Sequence, residues 1–341
     1  MEYSSLMDDI KPIKIVAMGQ SLASGLFSSY EDRSNVGMRA LVQNFEGRAA
    51  VPAQFENAAI PNTPLLRRYR RRRSWWDEDM DIPGRLLINA VGNFPEADIV
   101  LWSQGENDAS DANLDVEVYE KSLRNLFFFL RRTYGCFIIC NFIGRRIGGN
   151  DASTQLIHQV QRSLTSSMDF VFEGAEQYQS KLFDNVHPNN VGFCQIGALT
   201  GQAIAAAYLQ EVDVYPRVTH VVASLNIVVF HLYGPNHWAI DGIRVSNICE
   251  IPPHRGISQF VVVDSAGKIL NPNFLYFDPN ENEVFLVFEP EVIITPNAFT
   301  AYVVYGNSAS LDVASVITEY SALSRPVRRG EFPISHLREA M

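Results

Sequence analysis

Lys14-Ile15-Val16-Ala17-Met18-Gly19-Gln20-Ser21-Leu22 is the stretch on which the fold turns. A short apolar run ends in Gly-Gln-Ser near the start of the chain, and the residues after it read as the opening of a helix. A strand that enters a helix through a glycine presents its serine at the C-terminal edge of a sheet. The glycine allows the sharp turn. The unpaired N–H groups of the helix's first turn can hold a developing oxyanion. Apolar-Gly-x-Ser is common by itself, so its weight depends on what shares the same half of the chain.

Outward from that stretch, residues 13–210 alternate strand-like and helix-like segments. Ile13 to Met18, Ala97 to Trp102, Cys136 to Phe142 and the short Phe170 to Phe172 read as strands. Pro83 to Phe94, Val116 to Tyr134 and Thr154 to Met168 have the length and apolar spacing of amphipathic helices. The alanine-rich Asn190 to Leu209 reads as the last helix. Near-continuous apolar strands separated by helices imply a parallel sheet covered on both faces. From Tyr215 the character changes to β-branched and aromatic runs broken by Gly, Pro and Asn: Val218 to Tyr233, Phe260 to Asp264, Asn273 to Phe277, Glu283 to Phe288 and Phe299 to Tyr305. Asp264-Ser-Ala-Gly267 and Asp278-Pro-Asn-Glu-Asn282 read as hairpin loops. The expected architecture is an α/β half, residues 1–212, followed by a smaller all-β, sandwich-like half, residues 213–341.

Composition narrows the function classes. The 341 residues are 47% hydrophobic and 19% charged, which is ordinary for a soluble globular protein. A net charge of −10 argues against a dedicated nucleic-acid binder. The longest apolar stretches, such as Leu126 to Leu130, are too short to cross a bilayer. Met1 to Asp9 lacks the positive-then-apolar order of a secretory signal, so synthesis in the cytoplasm is expected. Cys136, Cys140, Cys194 and Cys249 show neither metal-knuckle nor disulfide-framework spacing and are read as buried thiols. The run Arg67-Arg68-Tyr69-Arg70-Arg71-Arg72-Arg73 reads as a solvated or partner-facing loop, as a site for an anionic ligand such as an acidic polysaccharide, or as a nucleic-acid or targeting signal. Trp75 and Trp76, directly after it, are either packing anchors or a sugar-stacking platform.

Two further segments carry chemistry. Ser103-Gln104-Gly105-Glu106-Asn107-Asp108 follows an apolar strand, and in a parallel sheet ligands collect at the C-terminal strand ends. Gln104 and Asn107 both offer the side-chain amide donors that an oxyanion needs; a polar turn capping a helix is the alternative. Asp184-Asn185-Val186-His187-Pro188 precedes the last helix. An aspartate three residues ahead of a histidine lets one turn supply a base and the group that orients it; an aspartate that caps the turn beside a locally packed histidine is the alternative, and the commoner one for the motif alone. No His/Cys/Asp cluster lies near enough in sequence to suggest a metal.

Gly-Gln-Ser, Gln-Gly-Glu-Asn-Asp and Asp-x-x-His, in that order in one α/β half, resemble the SGNH (GDSL-like) hydrolase superfamily. Gly105-Glu106-Asn107-Asp108 matches the pattern of its third block and Asp184 to His187 that of its fifth. The Gly-Gln-Ser and Trp-x-Gln-Gly-Glu variants are similar to the branch of sialate O-acetylesterases and acetyl xylan esterase-like carbohydrate esterases. The resemblance implies a three-layer α/β/α, flavodoxin-like sheet and a Ser21, His187, Asp184 triad. It further implies an oxyanion hole from the Ser21 N–H, a glycine N–H for which Gly84 is the candidate, and Gln104 or Asn107. The branch points to Gln104 and the wider superfamily to Asn107. It implies no metal or organic cofactor, and an O-acetylated glycan as substrate. Two departures stand out: Leu22 occupies a position where the branch has asparagine, and the second-block glycine has no clear match. Tyr302-Val303-Val304-Tyr305-Gly306 and the region of Pro326 look similar to the end of the β domain in that branch. The missing export signal fits a virion component, such as a phage tail or baseplate protein acting on surface glycans, with the β-rich half making assembly or homo-oligomer contacts. A weakly active structural or receptor-binding protein of this fold, and a small-acyl lipase or thioesterase, are the competing expectations. An α/β-hydrolase is disfavoured because Ser21 lacks a Gly-x-Ser-x-Gly elbow.

Overall fold

The computed structural model describes residues 11–69, 73–144, 146, 149–178, 180, 182–211, 217–233, 238–240, 243–245, 249–250, 260–266, 268–295, 298–303, 317–319 and 330–336. The expectations placed on the first nine residues, on Arg70 to Arg72, on Val304 to Gly306 and on Pro326 lie outside them. The chain divides into two compact units, Met1–Asp213 and Val214–Met341.

The first unit runs β1 (Ile13–Gly19), α1 (Ser21–Phe27), α2 (Val36–Ala49), β2 (Ala53–Asn57), a two-residue ribbon of β3 (Trp76–Asp77) and β4 (Ile82–Pro83), α3 (Arg85–Asn93), β5 (Ile99–Ser103), α4 (Val116–Tyr134), β6 (Phe137–Asn141), α5 (Asp151–Ser167), β7 (Val171–Glu173) and α6 (Asn190–Leu209). The sheet order is β2-β1-β5-β6-β7, and every pair in it is parallel. Counted along the sheet-forming strands this is 2-1-3-4-5, the flavodoxin-like winding. The fold is therefore α/β with helices on both faces of the sheet.

The pattern of burial explains why these strands read as unbroken apolar runs. Val16 and Met18 of β1, Val100 and Trp102 of β5, and Ile138 and Cys140 of β6 share a core with Leu86 and Leu87 of α3, Leu123 and Leu126 of α4, and Ile157 and Leu164 of α5. The alternate residues Ile15, Ala17, Leu101 and Ile139 are equally buried, as are Leu41 and Phe45 of α2 and Phe193 and Ile196 of α6. Both faces of the sheet are thus removed from water, with roughly 1.5–3 kcal/mol contributed by each large side chain fully buried. Side chains at the N-caps start three of the helices: Asp115 accepts from Val118 N, Asn150 from Ser153 N and Asn189 from Gly192 N.

In the second unit, the expected run from Val218 to Tyr233 is two strands, Arg217–Ser224 and Ile227–Tyr233, which pair antiparallel around Leu225 at φ 53°. Glu283–Val287 and then Phe274–Asp278 extend the sheet on one side. Gly330–His336 joins parallel to Arg217–Ser224 on the other, followed by Phe299–Val303 and Phe260–Asp264. Asp264 and Asp278 sit at the two expected loops, where Asp264 Oδ1 accepts from Ala266 N and Lys268 N and Asp278 Oδ1 from Asn280 N. Trp238–Ile240 lies between Ile243–Val245 and Ile317–Glu319 in a separate three-stranded antiparallel sheet.

One cysteine expectation is corrected. Cys136 and Cys140 are buried, and burial pushes the Cys136 thiol up to about 12. Cys194, in contrast, lies on the exposed side of α6.

Candidate active site

In a 2-1-3-4-5 sheet the winding reverses between the first and third strands in chain order, here β1 and β5, and a crevice opens beyond their C-terminal ends. Ser21 and the 104–108 loop stand at those two ends. Gly19 adopts φ 118°, and a Cβ there would lie 2.1 Å from Ser103 O, so only glycine fits between the strand ends. Gln20 N then donates to Ser103 O at 3.0 Å. Ser21 is the first residue of α1 and is 7% exposed. Its N–H belongs to the first helical turn, where no carbonyl four residues back is available.

The loop after β5 sorts its polar side chains into two groups. Gly105, at φ 148°, reverses the chain between them. Gln104 is fully buried, with its Nε2 donating to Asp108 Oδ2 and its Oε1 accepting from the Tyr119 hydroxyl at 3.3 Å. Asp108 also accepts from Leu65 N at 2.9 Å and Leu66 N at 3.2 Å, which ties this loop to the one after β2. Burial pushes the Asp108 carboxyl up to about 7, against the pull of the Leu65, Gln104 and Leu66 donors. Glu106 is buried and accepts from Gln20 Nε2 and, at 2.9 Å, from Gly144 N. Burial raises its carboxyl as well, with the Gly144 N–H acting in the opposite direction. Asn107 occupies the N-cap of a short 3₁₀ turn without capping it, and its Nδ2 is buried without a hydrogen-bond partner.

Asp184 and His187 form a closed local unit. Asp184 Oδ1 accepts from Val186 N and His187 N, both at 2.7 Å, while Oδ2 lies 2.7 Å from His187 Nδ1. Partial burial alone would raise the Asp184 carboxyl, but the His187 side chain and these two N–H donors outweigh it and hold the group below its ordinary 3.8. The ionised carboxylate fixes Nδ1 as the protonated nitrogen, leaving Nε2 to accept a proton. Tyr30, from the connection between α1 and α2, stacks on the imidazole with ring centroids 3.9 Å apart and planes 24° from parallel.

These groups meet in a cleft of about 330 Å³ lined by Ser21, Asn107, His187, Tyr30 and Gln20, with Pro61, Asn62, Val186 and Arg146 around them. Ile60 N donates to Gly19 O at 3.0 Å, which holds the Pro61–Asn62 wall against β1. Ser21 and His187 share the cleft without a hydrogen bond between them. Among the described residues no group of three His, Cys, Asp or Glu side chains is placed to hold a metal ion.

Four residues expected at the site stand elsewhere. The Gln104 amide is committed to Asp108 and Tyr119 inside the core. The Gly84 N–H donates to Trp75 O at 2.9 Å and so cannot serve an oxyanion; glycine is required there because a Cβ would lie 2.5 Å from Ser74 O. Trp75 is fully buried, donates to Thr63 Oγ1 at 3.0 Å and packs edge-on against Trp102. Trp76 is 4% exposed and donates to Asp81 Oδ1 at 3.2 Å, so neither ring offers a face to a sugar. From the arginine run, Arg67 pairs with Asp77 at 2.8 Å and Arg68 with Glu78 at 3.4 Å. The residues that sequence reasoning does not single out are Tyr30, Pro61, Asn62, Val186 and Arg146; Glu106 reads from sequence as a brace for its loop, but its partner Gln20 does not.

A 2-1-3-4-5 parallel sheet covered by helices on both faces is an SGNH-like fold. It is shared with a carbohydrate acetylesterase from Xanthomonas citri, at a TM-score of 0.64 and 14% identity over 94% of this chain and 80% of that one. A carbohydrate esterase family 3 protein from Talaromyces cellulolyticus is also similar, at a TM-score of 0.41 and 17% identity over 58% of this chain and 97% of that one. A lipase/acylhydrolase from Enterococcus faecalis gives a TM-score of 0.42 and 18% identity over 57% and 96%. No protein-family model matches the sequence, and no curated protein does.

Proposed function

We propose that this chain is a serine esterase that removes O-acetyl or similarly small acyl groups from carbohydrate. The observation that carries the reading is the Asn107 amide: a buried donor without a partner, in the same cleft as Ser21 and an Asp184-held His187. Leaving such a donor unpaired costs stability, and an oxyanion is the group that would satisfy it.

In this mechanism His187 Nε2 takes the hydroxyl proton as Ser21 Oγ attacks the ester carbonyl. The tetrahedral oxyanion accepts from the Ser21 N–H and Asn107 Nδ2. Collapse expels the sugar oxygen, which leaves with the proton from His187, and an acyl-Ser21 ester remains. Water, deprotonated by His187, attacks that ester and releases the carboxylic acid and the serine. Asp184 stays ionised throughout and stabilises the imidazolium. The cleft lies at the small end of the roughly 300–1,000 Å³ range of ligand pockets, which favours a short acyl group over a fatty chain. The carbohydrate class is supported by the Gly-Gln-Ser and Gln-Gly-Glu resemblance and by the fold shared with the Xanthomonas acetylesterase.

The test is acetate release from a panel of O-acetylated glycans, with p-nitrophenyl esters of increasing chain length beside it, by wild type and Ser21→Ala. Wild type should release acetate and favour the shortest esters, and Ser21→Ala should release none. Equal release by the two proteins would sink the assignment.

A further inference from the structure

We propose that Tyr30 is a positioning residue for His187, holding the face of the imidazole while Asp184 holds its edge. The proposal rests on the esterase reading and adds a residue that neither the sequence motifs nor the resemblance contains.

The need for it comes from the setting of the base. Residues 183–187 form consecutive bends outside any helix or strand. The Asp184 side chain is 46% exposed and that of His187 22%. A single hydrogen bond at Nδ1 fixes where that edge of the ring lies but leaves the ring able to rotate about the N···O axis. Such rotation sweeps Nε2 out of line with Ser21, and a misplacement of about 1 Å in a reacting group can cost on the order of a hundredfold in rate. A second ring stacked 3.9 Å away blocks it. The electron-rich face of a phenol also suits the imidazolium that forms when Ser21 gives up its proton.

Tyr30 is itself held in place. Asp32 Oδ1 accepts from Ser29 Oγ and Ser34 N, both at 2.9 Å, and its Oδ2 accepts from Asn190 Nδ2 at 2.9 Å. Asn190 N in turn donates to Glu31 Oε2 at 2.8 Å. Asn190 opens α6, three residues beyond His187, so one polar clamp ties the segment carrying the phenol to the segment carrying the imidazole. The ring of Phe193, one turn further along α6, backs Tyr30 with centroids 6.3 Å apart. The Tyr30 hydroxyl is buried beside Ser24 and Ser21 of α1.

The experiment compares wild type, Tyr30→Leu, Tyr30→Phe and Ser21→Ala for kcat and KM on p-nitrophenyl acetate, with thermal melting of each. Tyr30→Leu should lower kcat roughly ten- to a hundredfold with KM nearly unchanged, and Tyr30→Phe, which keeps the ring, should restore most of the loss. The His187 ring protons, shifted upfield by the stacked phenol, should move toward ordinary histidine positions in Tyr30→Leu. Should Tyr30→Leu not fold, Asp32→Ala cuts the clamp from outside the stack and should lower kcat in the same way. Wild-type kcat in whichever of these variants folds overturns the proposal, as does an equal loss in the Phe and Leu proteins, which would place the role in the hydroxyl. If Ser21→Ala is dead while Tyr30→Leu is fully active, this inference alone falls. If Ser21→Ala matches wild type, the esterase reading falls and takes it along.

Discussion

Gln20 and Glu106 are joined side chain to side chain, the amide Nε2 of the one donating to Oε2 of the other, across the two loops that leave β1 and β5. The pair couples the residue before Ser21 to the residue before Asn107. It also gives a physical account of why Gly-Gln-Ser and Gln-Gly-Glu occur together: each loop supplies the partner that the other's buried polar group requires.

Replacing Glu106 with alanine leaves the Gly144 N–H and the Gln20 amide buried without their acceptor. Destabilisation of about 2–3 kcal/mol is expected, together with a fall in kcat, because Gln20 sets the turn into Ser21. Glu106→Gln should be much milder. Its carbonyl can still accept from Gly144, and the Gln20 amide can turn its own oxygen, now without a partner, toward the new donor. Urea unfolding and ester turnover on the two variants check this; an alanine protein with the wild-type midpoint would remove the account.

Asn107→Ala and Gln104→Ala should fail in different ways. The first removes the unpartnered amide from the cleft, so kcat should drop about a hundred- to a thousandfold with an unfolding midpoint unchanged or raised. The second breaks a buried contact to Asp108 and Tyr119, so stability should fall by about 1–3 kcal/mol with a smaller loss of turnover. The reverse pattern would make Gln104 the oxyanion donor despite its place in the core.

Asp184→Asn keeps an oxygen that can accept from the Val186 and His187 N–H groups, so the 183–187 turn should survive. The new NH₂ would face Nδ1 and favour the tautomer with its proton on Nε2, which cannot take the serine proton. A loss of roughly 10³–10⁴ in kcat with KM retained is expected. Activity within tenfold of wild type would mean that His187 is oriented by something other than this carboxylate.

What could be read from sequence was what depends on residues close together in the chain. Strand-to-glycine-to-serine at β1, the Asp184–His187 spacing and the helices α4 and α6 are local features, and they appear where periodicity and motif put them. The strand β2 carries no strand signal in sequence because it is a half-exposed edge reading Ala-Gln-Phe-Glu-Asn. The helix α2 carries little helix signal because it contains Gly37 and Gly47 and lacks a side-chain N-cap. At the site, the choice between Gln104 and Asn107 was not readable, since a backbone angle at Gly105 decides which amide faces the cleft. Tyr30 meets His187 only through the folding together of α1, α2 and α6, which no spacing along the chain records. For Trp75 and Trp76 the sequence leaves packing anchor and sugar platform open, and indole N–H groups with partners at Thr63 and Asp81 mark them as packing residues.

The raised Asp108 carboxyl makes a prediction about pH and stability. Its ordinary value of 3.8 holds in the unfolded chain, and burial moves it to about 7 in the native state. Between those limits the folded protein binds a proton that the unfolded chain does not. Stability from this group is therefore fully present below about 3.8 and lost as pH climbs to about 7. Asp108→Asn cannot titrate, so the difference in unfolding free energy between wild type and variant isolates the effect from every other carboxylate. Wild type should lose ground to the variant as pH rises from 4 to 7, and the difference should level off above that. Urea unfolding at several pH values across this span measures it. A flat difference would show that the Leu65, Leu66 and Gln104 donors fully offset the burial and keep Asp108 ionised like an ordinary aspartate.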